Sequence, residues 1–467
     1  VATWQFVADM ASASPAVLLD LNSSSSGLRV ARGWDLSPAK FDKGWAASPL
    51  RHGARNTRSV AQNQILTLPL EIVAGSDSAA ATAIENLGRQ LSVNGILKVQ
   101  VGSPNPVFYR TFGNADYAIQ ARNILLRDNR IELQIEAEPF AYGVRVEATG
   151  SPFTVSNDPA NAAGCFFDIS SVQGDVETPL LLHVTSTGTG GVSNKWSHFS
   201  TRRRGTPSGY SNVIQAESMT QGTGAVVTAD ATMSGGSKSR IGFATATNTL
   251  RLSDTFPGNG TPTVEARGEY IVYARCALTN VADIITVQLA YGASSGTAVF
   301  NDAVTVAAVT NMYWVNLGKM PVPAWSDPVQ HGFSGVQTKV VMPFVGLYAA
   351  RTSGSGSLDV DALVFMPADD QTLMVRFPST DVPYAVDGTT EAGGSAYGFT
   401  TTLDEVTTTS QPCKLVGGLG FPSVIPGQTN RIHFLRNVDP NGVGDAITNT
   451  TTIRAYYWPR WREASRT

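Results

Sequence analysis

The sequence predicts a mainly β protein: a β-rich N-terminal domain with one α-helix, then a jelly-roll β-sandwich interrupted by an inserted β-sandwich. Three observations carry this. Alternating apolar residues recur along most of the 467-residue chain. Apolar residues fall at helical spacing in one segment only, 75–93. Charged residues make up 15% against the usual ~25%, while glycine (44 residues), serine and threonine are abundant, as in chains with many strands and turns.

In the first predicted domain, 1–143, QILTLPLEI (64–72) alternates, with Leu66, Leu68, Leu70 and Ile72 on one face. Pro69 lies on the other face and predicts an edge strand, because proline cannot donate to a ladder. GSDSAAATAIENLGRQLSV (75–93) is the helix: Ile84, Leu87 and Leu91 share a face, alanines supply propensity, and Ser76 or Asp77 caps its start. Strands return at 96–101, 107–112 and 124–143. In the last, RDNR is a turn and Ile131, Leu133, Ile135 and Ala137 form a buried stripe.

Residues 144–212 supply three strands, at 164–170, 177–186 and 195–204, too few to close a sandwich. Five more follow residue 370: 372–377, 396–403, 413–418, 430–438 and 451–461. Three and five make eight, a jelly-roll count. Residues 144–212 and 369–467 are therefore expected to be two parts of one domain. Residues 213–368 form the insertion. It opens on VIQAESM (213–219), read as a strand that carries Glu217, and continues through GEYIVYARCA (268–277), ITVQLAYG (285–292), TNMYWVNLGKMPV (310–322), FVGLYAAR (344–351) and LDVDALVFMPADD (358–370). Such spacing without helical pattern means a β-sandwich.

Composition narrows function. A net charge of −3 gives no electrostatic case for nucleic acid or an anionic membrane. No apolar run approaches the ~18–20 residues of a membrane span. The N-terminus has acidic and polar residues where a signal peptide needs a basic start and an apolar run, so the expectation is retention in a cytosol or release by a route other than secretion. Cys165, Cys276 and Cys413 are far apart and lack CxxC spacing, so they are expected to be free thiols.

Catalytic signals are weak. GASSG (292–296) fits GxSxG, but a nucleophile elbow needs a helix behind the serine. Here a strand follows, so Ser294 is expected in a hairpin turn. His52, His183, His198, His331 and His433 have neither metal-binding spacing nor an adjacent acid and nucleophile. WSHFSTRRR (196–204) is the one dense basic run. A solvated strand end or a subunit contact is favoured there over a phosphate-rich partner. No enzymatic activity is expected.

Two resemblances organise these residues. The 213–368 segment resembles β-sandwich carbohydrate-binding modules. The likeness rests on Gln215-Ala216-Glu217-Ser218, the turn Ser234-Gly235-Gly236, a GxYxVxxR strand from Gly268 to Arg275, and a DxDxL strand with Asp359, Asp361 and Leu363. It implies that an acid near the first strand and an acid on the last share a structural calcium ion. Glu217, Asp359 and Asp361 are the candidates, since Ca²⁺ takes six to eight hard oxygens. The alternative is a Glu217 that pairs with an arginine or faces water. A glycan site would need an exposed aromatic platform. Tyr313, Trp314 and Trp325 are its candidates, with core packing as the alternative.

The flanks resemble distal tail proteins of long-tailed, siphovirus-type bacteriophages, in GDVETPLLLHV (174–184) and IRAYYWPRW (453–461). That resemblance implies a belt domain that assembles into a homo-hexameric ring. It implies a virion protein at the tail tip, with the tail tube protein and tail-tip or baseplate proteins as partners. Host cell-wall glycan would be a partner of the inserted domain. The alternative is a free-standing glycan-binding protein or the accessory part of a carbohydrate-active enzyme.

Overall fold

The computed structural model describes residues 2–36, 40–47, 54–102, 105–113, 115–120, 129–155, 165–187, 196–201, 212–256, 268–292, 294–306, 310–322, 344–368, 371–376, 383–389, 395–398, 411–418, 420–439, 443–446 and 450–462. The architecture is mainly β, and Asp77–Leu91 is the one α-helix among the described residues. The chain divides into two units. The first takes in Val1–Val146, Val172–Thr178 and Tyr457–Thr467; the second takes in Glu147–Ser171 and Pro179–Tyr456.

In the first unit, ten strands form one sheet whose main path runs from Val17–Asp20 at one edge to Leu28–Val30 at the other. Its core is the expected stripe. Leu66, Leu68, Leu70 and Ile72 are buried opposite Ile131, Leu133, Ile135 and Ala137 on the neighbouring strand Arg130–Ala137. The helix buries Ala80, Ala83, Leu87 and Leu91, with Ile84 partly covered, and Ser76 Oγ caps it by accepting from the Ala79 N–H. The C-terminal strand Arg460–Trp461 pairs with Ala141–Tyr142. Phe41–Ala47 and Ala54–Ala61 form a two-stranded sheet of their own.

One expectation changes here. The strand Gln64–Ile72 is not an edge, because Leu28–Val30 lies beyond it. That ladder stops at the Val30–Leu70 pair, and Pro69 meets the chain through its carbonyl, which accepts from the Ala31 N–H. The missing proline donor thus falls where no strand partner asks for it. Of the expected turn over RDNR, residues 127–128 lie outside the described residues, and Arg130 already belongs to the strand Arg130–Ala137.

The second unit holds four sheets. A five-stranded sheet runs in the order Phe166–Ile169, Asn430–Val438, Trp196–Thr201, Gln371–Arg376, Lys414–Gly418. Thr201 is the register partner of Gln371, so the strands that precede and follow residues 213–368 in sequence are neighbours in space. An eight-stranded sheet includes Thr178–Thr187, Tyr384–Asp387 and Thr450–Tyr457. The two sheets together have more strands than the eight expected, because short strands such as Phe153–Val155 and Ser423–Val424 have too few residues to show a period.

The segment 213–368 contributes most of the other two sheets. One places Leu358–Pro367 between Gly268–Leu278 on one side and Ser237–Ile241 and Val213–Gln215 on the other. The facing sheet contains Thr249–Thr255, Phe344–Ser353 and Ile284–Gly292. Val443–Ala446, from beyond the segment, pairs with Tyr313–Val322 and covers what would otherwise be an open edge. All ten residues of Leu358–Pro367 are buried. Leu358, Val360, Leu363 and Phe365 join the core of the 213–368 sandwich. Ala362, Val364 and Met366 pack instead with Trp196, Met374, Leu435 and Val438 of the five-stranded sheet. A strand covered on both faces reads as a near-continuous apolar run, as LDVDALVFMP does.

Candidate functional site

The opening segment does not run on as a strand. Val213–Gln215 is a strand, but Ala216–Ser218 turns into a single 3₁₀ turn, and Glu217 sits on that turn. Ser218 Oγ donates to the Gln215 carbonyl, the local alternative to ladder bonding that serine offers. The turn brings the Glu217 carboxylate against Ser234-Gly235-Gly236, where Gly235 (φ +68°) and Gly236 (φ +76°) are left-handed. A Cβ on Gly235 would stand 2.2 Å from Glu217 Oε1, so both the backbone angle and the close approach require glycine.

Asp361 lies behind this turn and is fully buried. Its Oδ1 accepts from the Ser234 backbone N–H and from Ser234 Oγ, each at 2.9 Å. Its Oδ2 accepts from Arg275 Nη1 at 2.7 Å, and Arg275 is itself buried. Ser234 Oγ also meets Gln215 Oε1. Burial raises the pKa of Asp361, and the charge and hydrogen bonds of Arg275 and Ser234 offset this only in part. Glu217 is raised as well, by burial first and then by the Asp361 charge. Its Oε2 has no hydrogen-bond partner among the described residues.

Asp359 belongs to a separate group. Arg240 grips it with two bonds, Nε to Oδ1 at 2.7 Å and Nη2 to Oδ2 at 2.9 Å. Lys238 Nζ adds a contact at 2.9 Å and also holds Asp230 Oδ2 at 2.8 Å. Burial works to raise the Asp359 pKa, but Arg240 and Lys238 outweigh it and hold the carboxyl below its ordinary value. The three candidate calcium ligands therefore do not converge. Among the described residues no group of three or more His, Cys, Asp or Glu side chains is placed to hold a metal. Calcium needs six to eight oxygens, and Glu217 alone offers one without a partner. The named donor set does not fit the ion. Sequence reasoning missed the cations: Lys238 and Arg240 sit two apart in SKSRI and so share a face of their strand, and Arg240 is the register partner of Asp359.

The aromatic candidates are corrected too. Tyr313 and Trp314 are both fully buried, so neither presents a ring to solvent. Neighbouring residues of a strand point to opposite faces, and here both faces are covered. Tyr313 enters the sandwich core, while Trp314 packs with Tyr273, Trp196 and Met374. Trp325 lies outside the described residues. An exposed ring is found instead at Phe300 (46% exposed), edge-on to Tyr348 at 4.9 Å. Immediately after it, Asn301, Asp302, Val304, Asn316, Gly318 and Lys319 line an open cavity of about 310 Å³. Asn301 Nδ2 holds its wall by donating to the Leu317 and Lys319 carbonyls, across the left-handed Gly318 (φ +87°).

Ser294 and the cysteines behave as their contexts predict, but the described part of the basic run does not: Trp196–Thr201 is buried throughout, between Asn430–Val438 and Gln371–Arg376, and is not a solvated strand end. Ser294 stands between the paired strands Ile284–Gly292 and Val299–Phe300, at the start of a three-residue 3₁₀ turn. His198 is buried, with Nδ1 at 3.1 Å from Tyr273 Oη and Nε2 at 2.7 Å from Thr372 Oγ1; burial lowers its pKa to about 3. Cys165, Cys276 and Cys413 are free. His52, His331 and Arg202–Arg204 lie outside the described residues. No described helix is long and apolar enough to cross a membrane.

No protein-family model matches this chain, and no curated protein does. Solved structures similar to it come from phage tails. The Dit (gp 19.1) protein of phage SPP1, from the hub adsorption apparatus of phages that infect Gram-positive hosts, is 12% identical over 78% of this chain and 98% of its own, with a TM-score of 0.26. Chains of the activated phage p2 baseplate with strontium and with calcium are each 8% identical. They cover 79% and 77% of this chain and 99% and 98% of their own, with TM-scores of 0.24 and 0.25. TM-scores at this level do not establish a shared fold.

Proposed function

We propose that this chain is a non-catalytic structural component of a siphovirus-type phage tail tip. In this reading its first unit assembles into a ring, a homo-hexamer, that joins the tail tube to the host-recognition apparatus. The observation that carries the reading is the open strand edge of the first unit. Its ten-stranded sheet ends at Val17–Asp20, where Val17 and Leu18 are 49% and 56% exposed. The separate hairpin Phe41–Ala47/Ala54–Ala61 pairs with no other described strand. An apolar edge strand is a template for another chain, and an isolated hairpin is at best marginal in water. Repetition of one heterologous contact around a closing axis gives a ring. The resemblance of the flanks to distal tail proteins supplies the setting. Mass photometry and negative-stain imaging of the purified chain test the reading: rings with a central channel are expected, and immunogold should mark the tail tip of intact particles. A monomer at all concentrations, or absence from particles, overturns it.

The second reading, a glycan-binding accessory role for 213–368, is favoured by the polar cavity lined by Asn301, Asp302, Asn316 and Lys319, with the exposed ring of Phe300 one residue before it in the chain. Amide, carboxylate and ammonium groups take a sugar's hydroxyls, and an exposed ring takes its C–H face. Pull-down on host cell-wall fragments should lose binding with Phe300→Ala and with Asp302→Ala at unchanged melting temperature. Undiminished binding of both variants, or no retention of the wild type, rejects it.

A further inference from the structure

The resemblance of 213–368 to calcium-bearing modules and the geometry at its opening disagree, and the disagreement has a structural cause. We propose that Arg275 is a built-in cation that takes the place of a structural metal here, tying the opening segment to the last strand so that the fold needs no calcium.

Four segments meet at this corner: the end of Val213–Gln215, the Ser234–Gly236 turn, the strand Gly268–Leu278 and the last strand Leu358–Pro367. A shared ion would join them through carboxylate oxygens. Here the same connections are made by donors. Asp361 receives Arg275 Nη1 on one oxygen and the Ser234 N–H and Oγ on the other. Ser234 Oγ reaches Gln215 Oε1 in turn, which closes the path from the last strand back to the first. Arg275 is the register partner of Ala362, next to Asp361, so the ladder itself delivers the guanidinium.

Charge agrees with this assignment. Asp361 is paired with an internal cation, the buried guanidinium of Arg275. Asp359 and Asp230 are matched by Arg240 and Lys238, so neither carboxylate is left over for an ion. A divalent ion on Asp361 would displace a buried guanidinium held at 2.7 Å and strand it without its partner. Such a site would also have to recruit most of its six to eight oxygens elsewhere, since Glu217 Oε2 and the nearby Gln221 Oε1 are the buried side-chain acceptors around this turn without a partner among the described residues.

The test uses the full chain. Its melting temperature is compared in EDTA and in excess CaCl₂, and bound calcium is counted by elemental analysis after dialysis against a calcium-free buffer. Equal melting temperatures and no stoichiometric calcium are expected. Arg275→Met, which keeps the length of the side chain and deletes its charge, should melt several degrees lower, with part of the loss recovered by CaCl₂ and not by MgCl₂. One calcium per wild-type chain that survives dialysis, or a wild type that EDTA destabilises, overturns the proposal. So does an Arg275→Met chain that melts like the wild type. If that variant does not fold, the two wild-type measurements decide alone.

Discussion

Trp314 is the residue whose reading changed most, and its replacement tests the architecture. The indole is fully buried between the last strands of the 213–368 sandwich and the five-stranded sheet, among Tyr273, Ala362, Val364, Met366, Trp196, Met374, Leu435 and Val438. Truncation of a buried Trp to Ala costs about 3–5 kcal/mol, as lost transfer energy plus a cavity the neighbours fill only in part. For a unit of some 200 residues or more, each kcal/mol moves the melting temperature by about 2–4 °C. Trp314→Ala should therefore melt about 6–20 °C below the wild type. Trp314→Phe should cost less than Trp314→Ala, because the phenyl ring fills part of the space and leaves a smaller cavity. Its Nε1 has no partner among the described residues, so no hydrogen bond is lost with it. Differential scanning fluorimetry gives the two shifts. Limited proteolysis then shows whether cleavage appears in both 213–368 and 371–438, as a shared core requires. Trp314→Ala within about 2 °C of the wild type would refute the shared core. Loss of glycan retention without a thermal shift would return the ring to a ligand platform.

Three further outcomes are expected. Because the Glu217 pKa is raised in the folded state, its favourable contribution is complete below the ordinary value of 4.5 and is lost as pH rises through the folded value. The stability advantage of Glu217→Gln over the wild type should therefore grow from pH 4.5 toward neutrality, and a constant difference across that range would contradict the burial argument. His198 shifts the other way, from 6.5 to about 3, so stability is full above 6.5 and falls as pH drops toward 3; His198→Gln should flatten that acid limb in thermal melts. Leu18→Lys on the exposed edge strand should abolish ring formation in mass photometry with little change in melting temperature, and intact rings would remove that edge from the interface.

The core of the first unit was legible where its strands have one covered face, as Gln64–Ile72 and Arg130–Ala137 do. Period-two alternation at 64–72 and 131–137 names the buried residues outright, and one helical run with a serine before it places the helix and its cap. The candidate site was legible as a cluster of motifs and not as chemistry. Glu217, the Ser-Gly-Gly turn, Arg275 and the acids of the last strand all stand out in the sequence, and the structure brings Glu217, Ser234, Arg275 and Asp361 together. Their pairing is set by register across strands far apart in the chain, and one sequence holds no record of it. Arg240 faces Asp359 across 119 positions, and Arg275 reaches Asp361 across 86. For Tyr313 and Trp314 the core-packing alternative holds, and the sequence did not decide it for a related reason. An aromatic beside a polar loop looks exposed until a second sheet, built from residues before 202 and after 370, covers the far face of its strand.

That second cover bears on what the 213–368 segment can do. A module tethered by a flexible linker offers both outer faces of its sandwich, and ligands reach either one. Here the sheet that contains Leu358–Pro367 spends its outer face on Trp196, Met374, Leu435 and Val438, and it takes its edge partner, Val443–Ala446, from the chain beyond residue 370. What remains open on that sheet among the described residues is its edge strand Ala225–Ala229, with Val226 and Val227 exposed, while the other sheet is open where Phe300, Val299 and Ile284 are exposed. A glycan partner of this segment is therefore expected to meet that other sheet and the cavity at its edge. Hydrogen exchange with host cell-wall fragments bound should protect 284–304 and leave 358–367 unchanged. Protection of 358–367 alone would require the shared core to open, and with it the whole second unit.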